Sequence, residues 1–398
     1  MVPAPAVNTT RADGTHEALS LREIEIAPLG GEYVLHAPKS GTIILANHSA
    51  VELCRALEAS GSTARAADLL SQWWHVDAYV AQRYVQALLE DWRRAGLFDN
   101  VQPTSVEPIT AEDIAISWAK TYRSGVKPVR VRCESPAVGA ILDRVLSVLE
   151  VEQPTARDHS WGLADPVTVD LSGRHDNFMV RKAGRTVWGP SDFASARHMA
   201  LREILCASNP PGAISAVLHA GAVAKNGGAV IIAGDSGAGK TTLLSSLVLA
   251  GWDYLSDDLT GLDTNGNGIR PFPVAISLKP GSAALLSSAI EREPDLSLSP
   301  PDEFGLRYCD ASARRASAEV IPASLLCFPH HDASCPDLIV ERLSPTAALS
   351  QLLKTGTRLI GNAPTLSTLT RLLSKVPSVS LRYRERAEAE AFLEEQLS

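Results

Sequence analysis

The apolar residues of this chain follow three successive patterns: alternation, helical spacing, and short continuous runs. Residues 23–27, 32–36 and 42–45 alternate apolar and polar positions between Gly-Gly and Pro-Lys-Ser-Gly turns, a pattern that predicts strands. From Asn47 onward the apolar side chains recur at helical spacing, over 47–57, over 62–73 and over a longer amphipathic stretch 76–95 that stops at Gly96. Three strands and three helices in so short a span predict a small winged-helix-like α+β domain. Its limits are set at 21–100, after a disordered start over 1–20 and before a linker at 101–110. The linker assignment rests on the polar segment 100–110 with Pro103 and Pro108.

Beyond the linker the pattern becomes that of an α/β domain, taken as 111–398. Residues 126–133 predict a strand, 136–149 a helix, 166–187 a strand-rich stretch turning at 172–176, and 191–208 an amphipathic helix. The run at 229–233 is a short buried strand leading into glycines and then a helix over 243–249. Segment 291–317, rich in Ser, Pro and charge, predicts a mobile loop, and 385–397 predicts a charged surface helix.

Composition narrows the function classes. The net charge of −8 argues against nucleic acid or an anionic membrane as main partner. No apolar run approaches the roughly 20 residues that a membrane helix needs, and residues 1–18 lack the basic start and apolar core of a signal peptide, so a cytoplasmic home is expected. Six cysteines without a CxxC pair favour reduced thiols. Cys327, His330, His331 and Cys335 lie close enough to raise structural zinc as an alternative, although their spacing fits no common zinc pattern.

The chemistry concentrates at Gly234, Asp235, Ser236, Gly237, Ala238, Gly239, Lys240, Thr241 and Thr242. Glycines at this spacing, between a strand and a helix, let successive N–H groups turn inward and cradle phosphate oxygens at the positive end of the helix. Lys240 is placed to reach the β- and γ-phosphates of ATP, and Thr241 to offer its hydroxyl to Mg²⁺. Asp257 and Asp258 follow at the end of the next strand, and His219 precedes the loop by one hairpin. One carboxylate would hold the metal and the other would accept the proton of an attacking hydroxyl; Asp258 is assigned the metal with Thr241, and Asp257 is favoured as base.

Two resemblances follow from these residues. Segment 31–98, with an Asn before an apolar helix and a closing Gly96-Leu97-Phe98, resembles the PqqD-like peptide-binding modules. That resemblance implies recognition of a precursor peptide's leader, added as a strand beside the winged sheet and packed on the third helix. A nucleic-acid-binding winged helix is the alternative, disfavoured by Glu90 and Asp91 beside Arg93 and Arg94. His219 in LHAG, the loop GDSGAGKTT and Asp257-Asp258 after Ala250-Gly251 resemble the HPr kinase/phosphorylase family and its stand-alone relatives. What this implies is a P-loop serine kinase with an aspartate base and His219 beside the phosphates. The acidic glycine-rich signature of the bifunctional enzymes is replaced by 271–281, where Lys279 is either a phosphate-facing charge or a surface lysine.

Together these readings predict an ATP-dependent kinase that phosphorylates a Ser, or a Thr, of a ribosomally made peptide whose leader the N-terminal domain holds. A nucleotide-gated peptide-binding protein and a small-molecule hydroxyl kinase are the alternatives.

Overall fold

A computed structural model describes residues 7–10, 16–19, 24–38, 41–98, 115–151, 166–266, 268–355, 357–359 and 365–398. The linker expected at 101–110 lies outside the described residues. At the start of the chain, where disorder is expected, Val7–Thr10 and His16–Leu19 pair as an antiparallel ribbon.

In the small N-terminal unit, Glu25–Leu29, Glu32–Ala37 and Thr42–Ala46 form an antiparallel sheet in chain order. Gly30 and Gly31 both take positive φ, 59° and 88°, which a two-residue hairpin turn with the twist of its strands requires. Helices His48–Ser60, Thr63–Trp74 and Ala78–Arg94 follow, each opened by a side-chain cap from Asn47, Ser62 or Asp77. Leu35, Leu53, Leu57, Leu70, Leu89 and Trp92 fill the space between sheet and helices. The other face of the sheet is apolar as well. Ala27, Leu29 and Val34 join a core with Leu366, Leu369 and Leu373 of the helix Thr365–Lys375, so the small unit is docked by its sheet onto the rest of the chain.

A second unit holds a five-stranded sheet in the order Arg185–Ser191, Phe178–Lys182, Val167–Ser172, Val129–Cys133, Trp118–Tyr122. The strand Trp118–Tyr122 carries no clear alternation and is not anticipated from the pattern. Helices Pro136–Leu146 and Phe193–Ser208 cover this sheet, and their shared core continues into Ile214, Val217, Leu259 and Phe272.

The largest sheet has ten strands. Its path runs Asp253–Ser256, Ala220–Lys225, Gly228–Ala233, Ile321–His331, Gly268–Arg270, Thr260–Asp263, Ile214–Leu218, Arg358–Leu359; Ser378–Tyr383 also pairs with Ile321–His331, and Ile339–Leu343 with Ser378–Tyr383. Gly228–Ala233 lies centrally, parallel to Ile321–His331 on one side and antiparallel to Ala220–Lys225 on the other. Its residues 229–233 are buried, which suits an uninterrupted apolar run. The strand ending before Asp257 is one place further out, with Ala220–Lys225 between. Two antiparallel steps restore its direction, so both chain ends still emerge at the same edge.

Val230 and Ile232 face helices Lys240–Leu249, Pro280–Ile290 and Arg386–Gln396, whereas Ile231 and Ala233 face Pro345–Lys354 and Thr365–Lys375. The segment expected as a mobile loop at 291–317 is instead tied down. Ser297–Leu298 and Arg307–Asp310 form a small sheet with Ile276–Leu278, pinned by pairs of Arg307 with Glu291, Arg314 with Glu293 and Asp295, and Arg144 with Asp302. Composition reveals the charges but not their partners.

Gly221 fixes the seating of helix Lys240–Leu249. A Cβ there would stand 2.4 Å from Cδ1 of the buried Leu244 and 3.3 Å from the carbonyl of Ser256. Gly221→Ala is therefore expected to destabilise the protein by roughly 1–3 kcal/mol through overpacking, read as a lowered urea midpoint with an unchanged slope. An unaltered midpoint would show that the helix is free to shift.

Candidate active site around the glycine-rich loop

At the carboxyl edge of the ten-stranded sheet, the strand Gly228–Ala233 ends in Gly234 and the chain loops through 235–238 into helix Lys240–Leu249. Gly234, Gly237 and Gly239 have φ of 155°, 89° and 98°, the left-handed region that a side chain resists. Gly239 stands at the N-cap and no side chain caps this helix, so the first-turn N–H groups face the loop without a side-chain acceptor. An anion in the loop would satisfy them and would meet the positive end of the helix dipole.

Lys240 is buried and curls back so that Nζ donates to the carbonyls of Gly234 at 2.7 Å and Asp235 at 3.2 Å. Burial lowers its pKa, while Asp258 and Asp257 pull the other way. Lys279, at the start of helix Pro280–Ile290, donates to Ser236 Oγ at 2.8 Å, so this exposed lysine joins the loop. Thr242 and Ser282 share a hydroxyl hydrogen bond of 2.7 Å, which ties the same helix to Lys240–Leu249.

The two adjacent aspartates are placed differently. Asp257 is 6% exposed; its carboxylate accepts from Thr241 Oγ1 at 3.3 Å and from the backbone N–H of Ser277 at 3.1 Å. Burial pushes its carboxyl pKa well above the usual range, the charge of Asp258 adds to that, and the two hydrogen bonds with Lys240 oppose it. Asp258 is exposed and has φ 62°, with the N–H of Leu259 donating across it to the carbonyl of Asp257 at 2.8 Å. A non-glycine residue held in that tight turn stores about 1–3 kcal/mol of strain, a feature that concentrates at functional sites.

His219 occupies the break between Ile214–Leu218 and Ala220–Lys225, where its backbone N–H donates to Thr357 Oγ1 at 3.3 Å. Burial lowers its pKa, Asp258 raises it and Lys240 lowers it, so the imidazole is neutral at physiological pH within reach of both charges. The sequence reading does not anticipate His198. Helix Phe193–Ser208 of the five-stranded unit brings its ring to 5.7 Å from that of His219, centroid to centroid. Nothing in the spacing of two histidines 21 residues apart signals this contact, because it is made across two sheets.

Thr241 and Asp257 present hard oxygen donors side by side, which suits Mg²⁺. The alternative zinc cluster is dispersed: Cys327 points into the core, His330 and His331 are exposed, and Cys335 Sγ donates to the carbonyl of Asp337 at 2.9 Å. Among the described residues no group of three or more His, Cys, Asp or Glu could hold a metal ion, and no helix is long and apolar enough to cross a membrane.

The raised pKa of Asp257 carries a stability consequence. Below the ordinary carboxyl range the group is protonated in both folded and unfolded states; as pH rises, the unfolded chain ionises first and is favoured until the folded group also loses its proton. Asp257→Asn, measured without metal or nucleotide, is expected to raise the Tm by at least about 2–4 °C at pH 9 and by less at pH 5. An equal or lower Tm at pH 9 would mean that the buried carboxylate is not a liability to the fold.

The chain as a whole matches no curated protein. Residues 32–97, which run from the second strand of the small sheet through all three helices to the buried Leu97, match the family described as coenzyme PQQ synthesis protein D (PqqD).

Proposed function

We propose that this protein is an ATP-dependent kinase of the P-loop, HPr-kinase-like type that phosphorylates a Ser, or a Thr, of a ribosomally made precursor peptide whose leader is held by residues 32–97. The observation that carries the reading is the convergence of an uncapped helix N-terminus, a buried lysine, a Thr–Asp pair and a second, exposed aspartate at one edge of the sheet. The PqqD match supports the peptide partner.

In this reading Gly234, Gly237 and Gly239 orient backbone donors on the phosphates, and Lys240 leaves the carbonyls of Gly234 and Asp235 for the β/γ oxygens. Lys279 neutralises charge from the other side of Ser236. Thr241 and Asp257 would hold Mg²⁺, which when bound neutralises phosphate charge. The roles of the two aspartates are thereby exchanged relative to the sequence expectation. Asp257 is spoken for by Thr241 and Ser277, whereas Asp258 is exposed and free of the metal-side pair, so it is the base that accepts the hydroxyl proton. His219, neutral, donates a hydrogen bond to a phosphate oxygen without adding charge.

The peptide side rests on the outer strand of the small sheet. Thr42–Ala46 is the outer strand opposite Glu25–Leu29, and its own Leu45 is exposed. An added strand would extend the ladder there and cover Leu45.

With labelled ATP and a precursor peptide encoded near this gene, label is expected on the peptide. Lys240→Ala should abolish transfer, and Asp258→Asn should cut turnover by about 10²-fold or more with nucleotide affinity nearly intact. Phosphate release without peptide labelling would replace kinase by nucleotide-gated binding, and label on a small metabolite would replace the peptide.

A proline placed within the leader's bound segment deletes a donor from the added strand. It should weaken binding by about tenfold relative to alanine at the same position, as measured by fluorescence anisotropy on the full chain. Equal affinities would sink the strand-addition mode.

A further inference from the structure

A cavity of about 550 Å³ opens on the side of the glycine-rich loop away from the aspartates. Its near wall is the outer arc of the loop, 234–238; its floor is Phe328 and Pro329; its far wall carries Gln351, Lys354 and Arg382. The loop and the floor are joined directly, because the backbone N–H of His331 donates to the carbonyl of Ala238 at 3.2 Å. Neither His219, Lys240, Thr241, Asp257 nor Asp258 lines it.

We infer that this cavity takes the nucleoside end, ribose and base, of the triphosphate, a proposal that rests on the nucleotide-binding reading above. The argument is one of sides. The central strand Gly228–Ala233 has Ala220–Lys225 and then Asp253–Ser256 on one flank, and Ile321–His331 followed by Ser378–Tyr383 on the other. Asp258, Lys240 and Thr241 place the transferred phosphate on the first flank, so the acceptor hydroxyl must arrive there. The remainder of the nucleotide continues to the second flank, where the cavity lies against the same loop.

The lining suits that occupant. The volume falls in the range of small-molecule sites. Phe328 and Pro329 are buried apolar surfaces that a flat base can cover, and Gln351 offers both a donor and an acceptor amide. Lys354 and Arg382 are exposed donors at the rim, matched to the ribose hydroxyls and the base; among the described lining residues Asp235 is the one carboxylate. A peptide acceptor in this cavity would be separated from Asp258 by the loop itself.

The test separates the two ends of the nucleotide. Binding of ATP and of inorganic tripolyphosphate, each with Mg²⁺, is measured by calorimetry on the full chain and on the Arg382→Ala and Lys354→Ala variants. Both side chains are exposed, so folding is preserved. The wild type is expected to bind ATP more tightly than tripolyphosphate, and each variant to lose about tenfold for ATP with little change for tripolyphosphate. Equal weakening of both ligands, or no weakening of ATP in either variant, would overturn the nucleoside assignment while leaving the phosphate loop intact. Failure of the wild type to bind either ligand would overturn the nucleotide reading and this one with it.

Discussion

The burial of one carboxylate organises the candidate site. Asp257 gathers the hydroxyl of Thr241 from the first turn of the loop helix and the N–H of Ser277 from the strand Ile276–Leu278, and it does so at the end of a third element, Asp253–Ser256. Three segments distant in sequence are thus locked to one atom group. The arrangement works against folding when nothing is bound, because a carboxylate taken out of water resists ionisation. A cation beside Thr241, as proposed, would reverse that cost, and ligand binding and local stability would then be linked by the same side chain. The strained turn at Asp258 adds to the cost and keeps the adjacent carboxylate pointing outward rather than packed.

Among the described residues, the small N-terminal unit is held to the rest of the protein by apolar contact. Its sheet has two buried faces, Leu35 turned to its own helices and Val34 to the core beside Leu369. Burial along Glu32–Ala37 therefore does not alternate: Val34, Leu35, His36 and Ala37 are all buried. Helix Pro345–Lys354 spans the distance between the units: its first residue lies where a Cβ on Gly30 would be 3.6 Å away, and its last lines the cavity beside the glycine-rich loop.

Much of this was legible in the sequence where a local rule applies. The glycines of the loop, the apolar strand before it and the caps Asn47 and Ser62 each act on neighbours a few residues away, and the structure places them as the spacing predicts. The match at 32–97 likewise agrees with the PqqD-like resemblance drawn over 31–98. What pattern does not convey is pairing at a distance. The intervening strand Ala220–Lys225, the approach of His198 to His219, and the arginines that pin 291–317 all depend on which surfaces meet after folding. The difference in burial between Asp257 and Asp258 belongs to the same class, since adjacent identical residues differ only in what surrounds them.

If the small unit holds a peptide as proposed, its docked sheet makes it a ruler. A module on a free tether would sample many positions and tolerate spacers of many lengths; one whose sheet is built into the core would offer its outer strand, Thr42–Ala46, at a single offset from the loop. An extended chain covers at most about 3.3–3.6 Å per residue. A segment anchored along that edge can therefore present only residues beyond a minimum separation, and the first residue able to reach the loop is set by counting along the chain rather than by the side chains around it.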